Sequence, residues 1–191
     1  MKAITLDAFG DPSVLKYGEI TTPEPDAGEV LIKVHNVSVN VTLDIALRKG
    51  NYPIKPDFPH VMGIDPVGEI VDVGREVSGD RVGERVGVHA LMRSDVCTPG
   101  EEADDPKFYR FVGIHRWGGY AEFVTVPSEN AFKIPERISF PEAAVIVRHL
   151  PTALHLLSIK GKLKAGTKKG KGKGKDAATT YCANCGEEGD A

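Results

Sequence analysis

Cysteine is scarce in this sequence, because only Cys97, Cys182 and Cys185 occur among its 191 residues. Three thiols cannot build the disulfide framework that holds many small secreted domains together. The sequence also lacks a basic segment followed by an apolar signal core at its start. No apolar run approaches the roughly 18 residues needed to cross a bilayer. We therefore expect a cytoplasmic protein with no membrane partner.

Neither sign of charge dominates the chain. Its 24 Lys and Arg residues are balanced by 27 Asp and Glu residues, which gives a formal net charge of −3. Such a balance provides no overall electrostatic attraction for nucleic acid. The basic segment 168–175 (KKGKGKGK) contains no aromatic residue on which a base could stack. We therefore do not expect a nucleic-acid partner.

The sequence is instead rich in short apolar runs that alternate with polar residues. Within 59–88 (PHVMGIDPVGEIVDVGREVSGDRVGERVGV), two such runs are separated by glycine, aspartate and serine. This pattern predicts two strands joined by a tight polar connection, in a curved sheet with one face in water. The other segments predicted as strands are 1–6 (an edge strand), 15–20, 29–39, 118–126 and 131–134. The expected fold is mainly β, as a barrel or a sandwich.

Helical segments are few and lie mostly near the end of the chain. Residues 42–49 predict a short helix. Ser139 and Glu142 have the spacing of a capping box at the start of a helix that reaches about residue 147. A second helix is predicted over 151–157. Beyond residue 160 the composition changes to lysine and glycine, which bury too little apolar surface to fold.

Five stretches together resemble the medium-chain dehydrogenase/reductase superfamily, which includes zinc alcohol dehydrogenases and quinone oxidoreductases. They are MKAITLDAFGDPSVLKYGEI, TPEPDAGEVLIKVHNVSV, the glycine pattern of 59–88, HRWGGYAEFVTVPSENAFKIPERISFPEAA and RHLPTALHLL. The resemblance covers about residues 1–166 in the order of the family. It implies a GroES-like β-barrel with short C-terminal helices. It also implies hydride transfer between a nicotinamide cofactor and a carbonyl, an alcohol or an activated alkene.

The expected organisation has three parts: a GroES-like barrel over 1–138, bridging helices over 139–161 and a disordered tail over 162–191. In the family, a buried strand, a glycine-rich turn and a helix N-terminus hold the cofactor pyrophosphate. Here the glycines of 170–174 follow no apolar strand and precede no amphipathic helix. We expect the Rossmann domain to be absent. The family implies NAD(P)H, but we expect no cofactor to bind this chain alone.

The catalytic zinc of the family is also expected to be missing. Such a zinc needs three protein ligands and one open position. The resemblance places the position of the cysteine ligand at Val41 and that of the histidine ligand at Ile64, and neither side chain can bind zinc.

The candidate pocket is formed by Asn40, Leu43, Ile64 and Asp65. If the register shifts by one residue, Asn40 takes the place of the lost cysteine, and its amide could donate to a substrate carbonyl. The alternative is that Asn40 only caps the following helix. Asp65 could take part in proton transfer, or it could simply pair with Arg48 or a backbone N–H.

A structural zinc site is not expected either. The four-cysteine spacing of the family falls on Leu91, Ser94, Cys97 and Asp105, so only one thiol remains. Cys182 and Cys185 have the spacing of half a metal site, and no further ligand lies near them in the sequence.

The function that follows is a truncated, zinc-independent, NAD(P)-dependent oxidoreductase-type catalytic domain that acts on a small molecule and is incompetent for hydride transfer alone. One alternative is a non-enzymatic GroES-like interaction module or remnant. Another is a metal- or nucleic-acid-binding tail on an inert barrel. The expected partner is a second copy of the chain or a separate polypeptide with the cofactor domain. Self-association is expected because the late helices are predicted to present exposed apolar residues: Ala143, Ala144, Val147, Leu150, Leu154 and Leu157.

Overall fold

The computed structural model describes residues 1–93 and 109–162. The strands are β1 (Lys2–Leu6), β2 (Leu15–Glu19), β3 (Glu29–Val37), β4 (His60–Val61), β5 (Pro66–Val73), β6 (Arg85–Val88), β7 (Leu91–Arg93), β8 (Tyr109–Phe111), β9 (Phe123–Pro127) and β10 (Ala131–Lys133). The helices are α1 (Val41–Arg48) and α2 (Phe140–Leu154), and a π-helical segment follows at His155–Lys160. No helix in these ranges has the length and apolar character needed to cross a membrane.

The strands described in 1–93 and 109–162 form three antiparallel sheets. The largest has five strands in the order β10-β6-β5-β3-β9, the second has the order β2-β1-β4, and β7 pairs with β8. The predicted pair within 59–88 is confirmed as β5 and β6, with Val67 opposite Gly87 and Glu69 opposite Arg85. The prediction that the first strand lies at an edge is wrong, because β1 pairs with β2 on one side and with β4 on the other.

The predicted GroES-like architecture is confirmed, although the ladders of the described strands do not close into a single barrel. Residues 120–122 connect the two larger sheets through backbone hydrogen bonds. Ile4 N–H donates to the Tyr120 carbonyl at 2.8 Å, and Val34 N–H donates to the Glu122 carbonyl at 2.8 Å. The connection between the sheets is therefore a short irregular segment, which alternating patterns do not reveal.

Among the described residues, the buried apolar side chains form three clusters. The first lies on the five-stranded sheet and includes Val30, Ile32 and Ile70. The second packs α1 against the segment around β4, through Leu47 and Ile64 among others. In the third, buried residues of α2 pack against the sheet: Ala143, Ala144 and Val147 contact Val67 and Ile134.

The start of α2 has the predicted capping box. Glu142 Oε2 accepts from the Ser139 N–H at 2.9 Å, and Glu142 N–H donates to Ser139 Oγ at 3.4 Å. The prediction of two separate helices is wrong, because α2 continues through Pro151 to Leu154. The prediction that all its apolar residues are exposed is wrong for Ala143, Ala144 and Val147, which the sheet covers.

The chain divides into two units, Met1–Leu154 and His155–Ala191. In the second unit the structure describes only residues 155–162, most of them in the π-helical segment. Apart from Lys162, the predicted tail lies outside the described residues. The predicted domain boundaries after 138 and 161 stay predictions.

Candidate functional site

The candidate site begins at the first turn of α1. Asn40 is the N-cap residue of this helix, and its Oδ1 accepts from the Leu43 N–H at 3.0 Å. The capping role considered for Asn40 is therefore observed. The Asn40 N–H donates in turn to Asp44 Oδ2 at 2.9 Å. The bond from the Asn40 N–H holds the Asp44 carboxyl beside the start of the helix, and Asp44 is only 8% exposed.

Asp44 also contacts a residue that is distant in sequence. The Tyr120 hydroxyl donates to Asp44 Oδ2 at 2.5 Å. The other carboxylate oxygen, Oδ1, is buried and has no hydrogen-bond partner among the described residues. The two oxygens of one carboxylate therefore lie in very different surroundings.

The backbone around three glycines fixes the position of Tyr120. Gly119 N–H donates to the Gly63 carbonyl at 2.7 Å, and Tyr120 N–H donates to the Met62 carbonyl at 2.9 Å. A Cβ atom at Gly118 would overlap the carbonyl oxygen of Gly63, so only glycine allows the two segments to approach so closely. The crossing places the Tyr120 side chain against α1.

A second buried carboxylate, that of Asp65, lies just before β5. Ser38 Oγ donates to Asp65 Oδ2 at 2.8 Å, and Arg148 Nη1 on α2 lies 3.7 Å from Oδ1. The predicted pairing of Asp65 with Arg48 is wrong. The guanidinium of Arg48 donates to the Gly10 carbonyl instead.

Burial dominates the electrostatics of both carboxylates. It raises the pKa of Asp44, and the hydrogen bonds from Tyr120 and from the Asn40 N–H only partly oppose this shift. The negative charge of Asp65 raises the pKa of Asp44 further. Burial also raises the pKa of Asp65, against the opposing effects of Ser38 and Arg148. Burial, with the hydrogen bond to Asp44, raises the pKa of the Tyr120 hydroxyl, which therefore remains protonated.

The structure thus places the predicted pocket residues around one region but in different roles. Leu43 and Ile64 belong to the same apolar cluster, and Tyr120 packs against it. Sequence reasoning missed four polar residues of the site, namely Ser38, Asp44, Tyr120 and Arg148. The available signals were weak, such as a basic residue in the apolar sequence of α2 and an aromatic residue directly after two glycines.

The residues at the zinc positions do not fit a zinc ion. Val41 is an exposed hydrocarbon side chain at the start of α1, and Ile64 is buried in the apolar cluster. Leu91 lies in β7. The remaining candidate ligands lie outside the described residues: Ser94, Cys97, Asp105, Cys182 and Cys185. Within 1–93 and 109–162, no group of three or more His, Cys, Asp or Glu side chains could hold a metal.

The described part of the chain does not fit a dinucleotide either. The pyrophosphate site of this cofactor class needs parallel strands connected by a helix that begins at a glycine-rich turn. All strand ladders in the ranges given above are antiparallel.

Comparison with known proteins identifies this architecture. Residues 26–136 match the alcohol dehydrogenase GroES-like domain family. The chain belongs to this family. An alcohol dehydrogenase of Geobacillus stearothermophilus is 33% identical over 165 residues, which are 84% of this chain and 48% of that enzyme. A quinone oxidoreductase of Mus musculus is 30% identical over 167 residues, which are 87% of this chain and 43% of that enzyme.

The solved structures agree with the assignment to the GroES-like family. A crystal structure of an NAD-dependent alcohol dehydrogenase superimposes with a TM-score of 0.77 at 34% identity, over 87% of this chain and 49% of that one. The predicted resemblance to the medium-chain dehydrogenase/reductase superfamily, limited to its N-terminal domain, is thereby confirmed. The chain spans about half the length of the curated relatives it matches.

Proposed function

We propose that this GroES-like chain is the substrate-holding catalytic domain of a zinc-independent, NAD(P)-dependent oxidoreductase of the alcohol dehydrogenase and quinone oxidoreductase type. One observation carries the proposal. Val41 and Ile64, at two ligand positions of the family's catalytic zinc, have hydrocarbon side chains. The carboxylates of Asp44 and Asp65 nearby are hydrogen-bonded to other protein groups. A small-molecule substrate would be oriented by such polar groups and not by a metal.

We further propose that the chain cannot transfer hydride by itself. The reaction requires a nicotinamide held against the substrate, and the described residues contain no parallel-strand unit for its pyrophosphate. We assign to this chain the groups on the substrate side, and we assign cofactor binding to a separate polypeptide or to a longer form of the protein.

The first experiment titrates the purified chain with NADH and with NADPH, followed by fluorescence and calorimetry. We expect no saturable binding up to about 1 mM, which corresponds to a binding free energy weaker than about 4 kcal/mol. Saturable binding at micromolar concentration would overturn the proposal that the chain is incompetent alone.

The second experiment joins residues 1–154 to the cofactor-binding half of the Geobacillus stearothermophilus alcohol dehydrogenase. NAD(P)H oxidation is assayed with aldehydes, ketones and quinones, with and without 1,10-phenanthroline. We expect turnover that the chelator does not reduce, and we expect Arg148→Gln to lower it while the exposed variant Asp72→Asn leaves it unchanged. Inhibition by the chelator would refute zinc independence. A folded fusion that binds NADH but turns over no substrate would refute the catalytic role.

A second candidate, a non-enzymatic interaction module, is favoured by the exposed half of α2. Leu150 and Leu154 are both about half exposed on this helix, at 49% and 53%. A folded fusion without turnover, together with self-association through this face, would favour the interaction module over the enzyme.

A further inference from the structure

The two oxygens of the Asp44 carboxylate have different surroundings, and only Oδ2 takes part in the hydrogen bonds at the start of α1. Oδ2 accepts two hydrogen bonds, from the Tyr120 hydroxyl at 2.5 Å and from the Asn40 N–H at 2.9 Å. Oδ1 is buried and has no partner among the described residues. If the carboxyl were ionised, a share of its negative charge would lie on a buried atom that no described group donates to, which is costly.

The charged and titratable groups facing Asp44 compensate for such a charge only in part. Asp65, before β5, is a second carboxylate and acts on Asp44 as a like charge. Arg148, on α2, acts on Asp44 as an opposite charge and lowers its pKa, but the guanidinium pairs with Asp65, with Nη1 at 3.7 Å from Asp65 Oδ1. Tyr120 contributes a neutral hydroxyl. No described cation contacts the carboxyl of Asp44.

We propose that Asp44 carries a proton on Oδ1 at neutral pH and that this neutral acid is a positioning residue, which holds the Tyr120 hydroxyl in the substrate site. The part concerning the substrate site rests on the proposed function. The protonation itself follows from the geometry of the chain alone. Protonation at Oδ1 removes the charge and leaves Oδ2 free to accept both observed hydrogen bonds.

The protonation state of Asp44 also decides the net charge of the group formed by Asp44, Asp65 and Arg148. With Asp44 neutral, the single negative charge of Asp65 lies beside the single positive charge of Arg148. Ionisation of Asp44 would add a second negative charge to a buried region and compete for the same guanidinium. The proton therefore keeps Arg148 with Asp65, and through it α2 with β5.

The decisive experiment is carbon-13 NMR of the whole chain labelled at the aspartate carboxyl carbons. The Asp44 resonance is the one lost in Asp44→Asn, whereas the exposed variant Asp72→Asn removes a different one. We expect the Asp44 carbon at pH 7 to have the chemical shift of a protonated carboxyl. The shift of an ionised carboxyl at pH 7 would overturn the proposal, and so would a shift that moves on addition of a divalent cation, because Oδ1 would then be a metal ligand.

A second measurement uses the pH dependence of urea unfolding. A folded state that retains a proton which the unfolded state releases loses stability as pH rises above the ordinary aspartate pKa of about 3.9. Asp44→Asn imitates the neutral acid and has no proton to release at this position. We expect its unfolding free energy to lack the part of the pH dependence that corresponds to about one proton, whereas Asp72→Asn keeps the wild-type pH dependence. Equal slopes for wild type and Asp44→Asn would overturn the proposal.

If Asp44→Asn does not fold, Tyr120→Phe provides the assignment, because it removes one hydrogen bond to Oδ2 and shifts the same resonance. Neither measurement uses cofactor or substrate. The observation that Asp44 is ionised would therefore refute this inference and not the proposed function, and an inactive fusion would refute the proposed function and not the protonation of Asp44.

Discussion

Arg116 binds Glu29 through both carboxylate oxygens, although 87 residues separate them in sequence. Nη1 lies 2.5 Å from Oε1 and Nη2 lies 3.2 Å from Oε2, and Nη2 also donates to Thr125 Oγ1 at 2.7 Å. Glu29 begins β3 and Thr125 lies in β9, so one guanidinium connects two neighbouring strands.

We expect Arg116→Lys to lower the free energy of unfolding by about 1–2 kcal/mol, because an ammonium group cannot make the two-point contact. Urea unfolding measures the change. The matched control is Arg137→Lys at an exposed position, with an expected change within about 0.5 kcal/mol. Equal losses in the two variants would show that the Glu29 contact contributes nothing specific.

At Gly68, strand β5 approaches the backbone of β3 closely. A Cβ atom there would overlap the carbonyl oxygen of Lys33 on the neighbouring strand. We expect Gly68→Ala to cost about 3 kcal/mol or more, measured by thermal and urea unfolding, because backbone atoms cannot move aside as a flexible side chain can. Gly18→Ala, where nothing lies within 4 Å, is the control. Its effect should stay within about 1 kcal/mol, and a larger loss at Gly18 than at Gly68 contradicts this account of the sheet.

His60 should make the protein sensitive to mild acid. Its Nε2 lies 2.9 Å from the Gly113 carbonyl, which can only accept, so Nε2 carries the proton of the neutral ring. Burial lowers the pKa of His60. The unfolded chain binds a proton at about pH 6.5, and the folded chain binds it only at lower pH, so stability should fall as pH drops below that value.

The measurement is urea unfolding between pH 7.5 and 5, chosen around the ordinary histidine pKa of about 6.5. His60→Gln should weaken the acid-induced loss, whereas the exposed control His89→Gln should retain it. An unchanged pH profile in His60→Gln would assign the loss to other groups.

The apolar stripe of α2 is buried in its first half and exposed in its second. Val147 packs on the sheet, whereas Leu150 and Leu154 are exposed. We expect the chain to self-associate, and we expect the double variant Leu150→Gln with Leu154→Gln to reduce this in light scattering. Val145→Gln, an exposed position on the opposite side of the helix, is the control. A wild-type chain that stays monomeric at all concentrations would contradict the expectation.

Local patterns were sufficient to predict much of this fold. The alternation of apolar and charged residues located β3 and the β5–β6 pair, because side chains of a strand point to opposite faces in turn. The spacing of Ser139 and Glu142 located the start of α2, because a capping box involves only neighbouring residues. Pro151 led to a wrong helix boundary, because proline often ends a helix, whereas Pro151 lies inside α2.

The candidate site was predicted less completely, because its contacts join distant parts of the chain. Asp65 was predicted as a pocket residue, but its partners Ser38 and Arg148 lie 27 and 83 positions away. Asp44 was not among the predicted pocket residues. No local pattern shows that its carboxyl meets Tyr120.

The sequence by itself determines that Val41 and Ile64 cannot ligate a metal, because hydrocarbon side chains have no lone pair to donate. The glycines at 63, 118 and 119 likewise permit a close backbone crossing through residue type alone, since they carry no Cβ atom. That the crossing brings Tyr120 to Asp44, and leaves one carboxylate oxygen buried without a partner among the described residues, depends on how the two larger sheets and α1 pack together. Burial and proximity arise only when distant segments meet, and these two properties set the charge of the site.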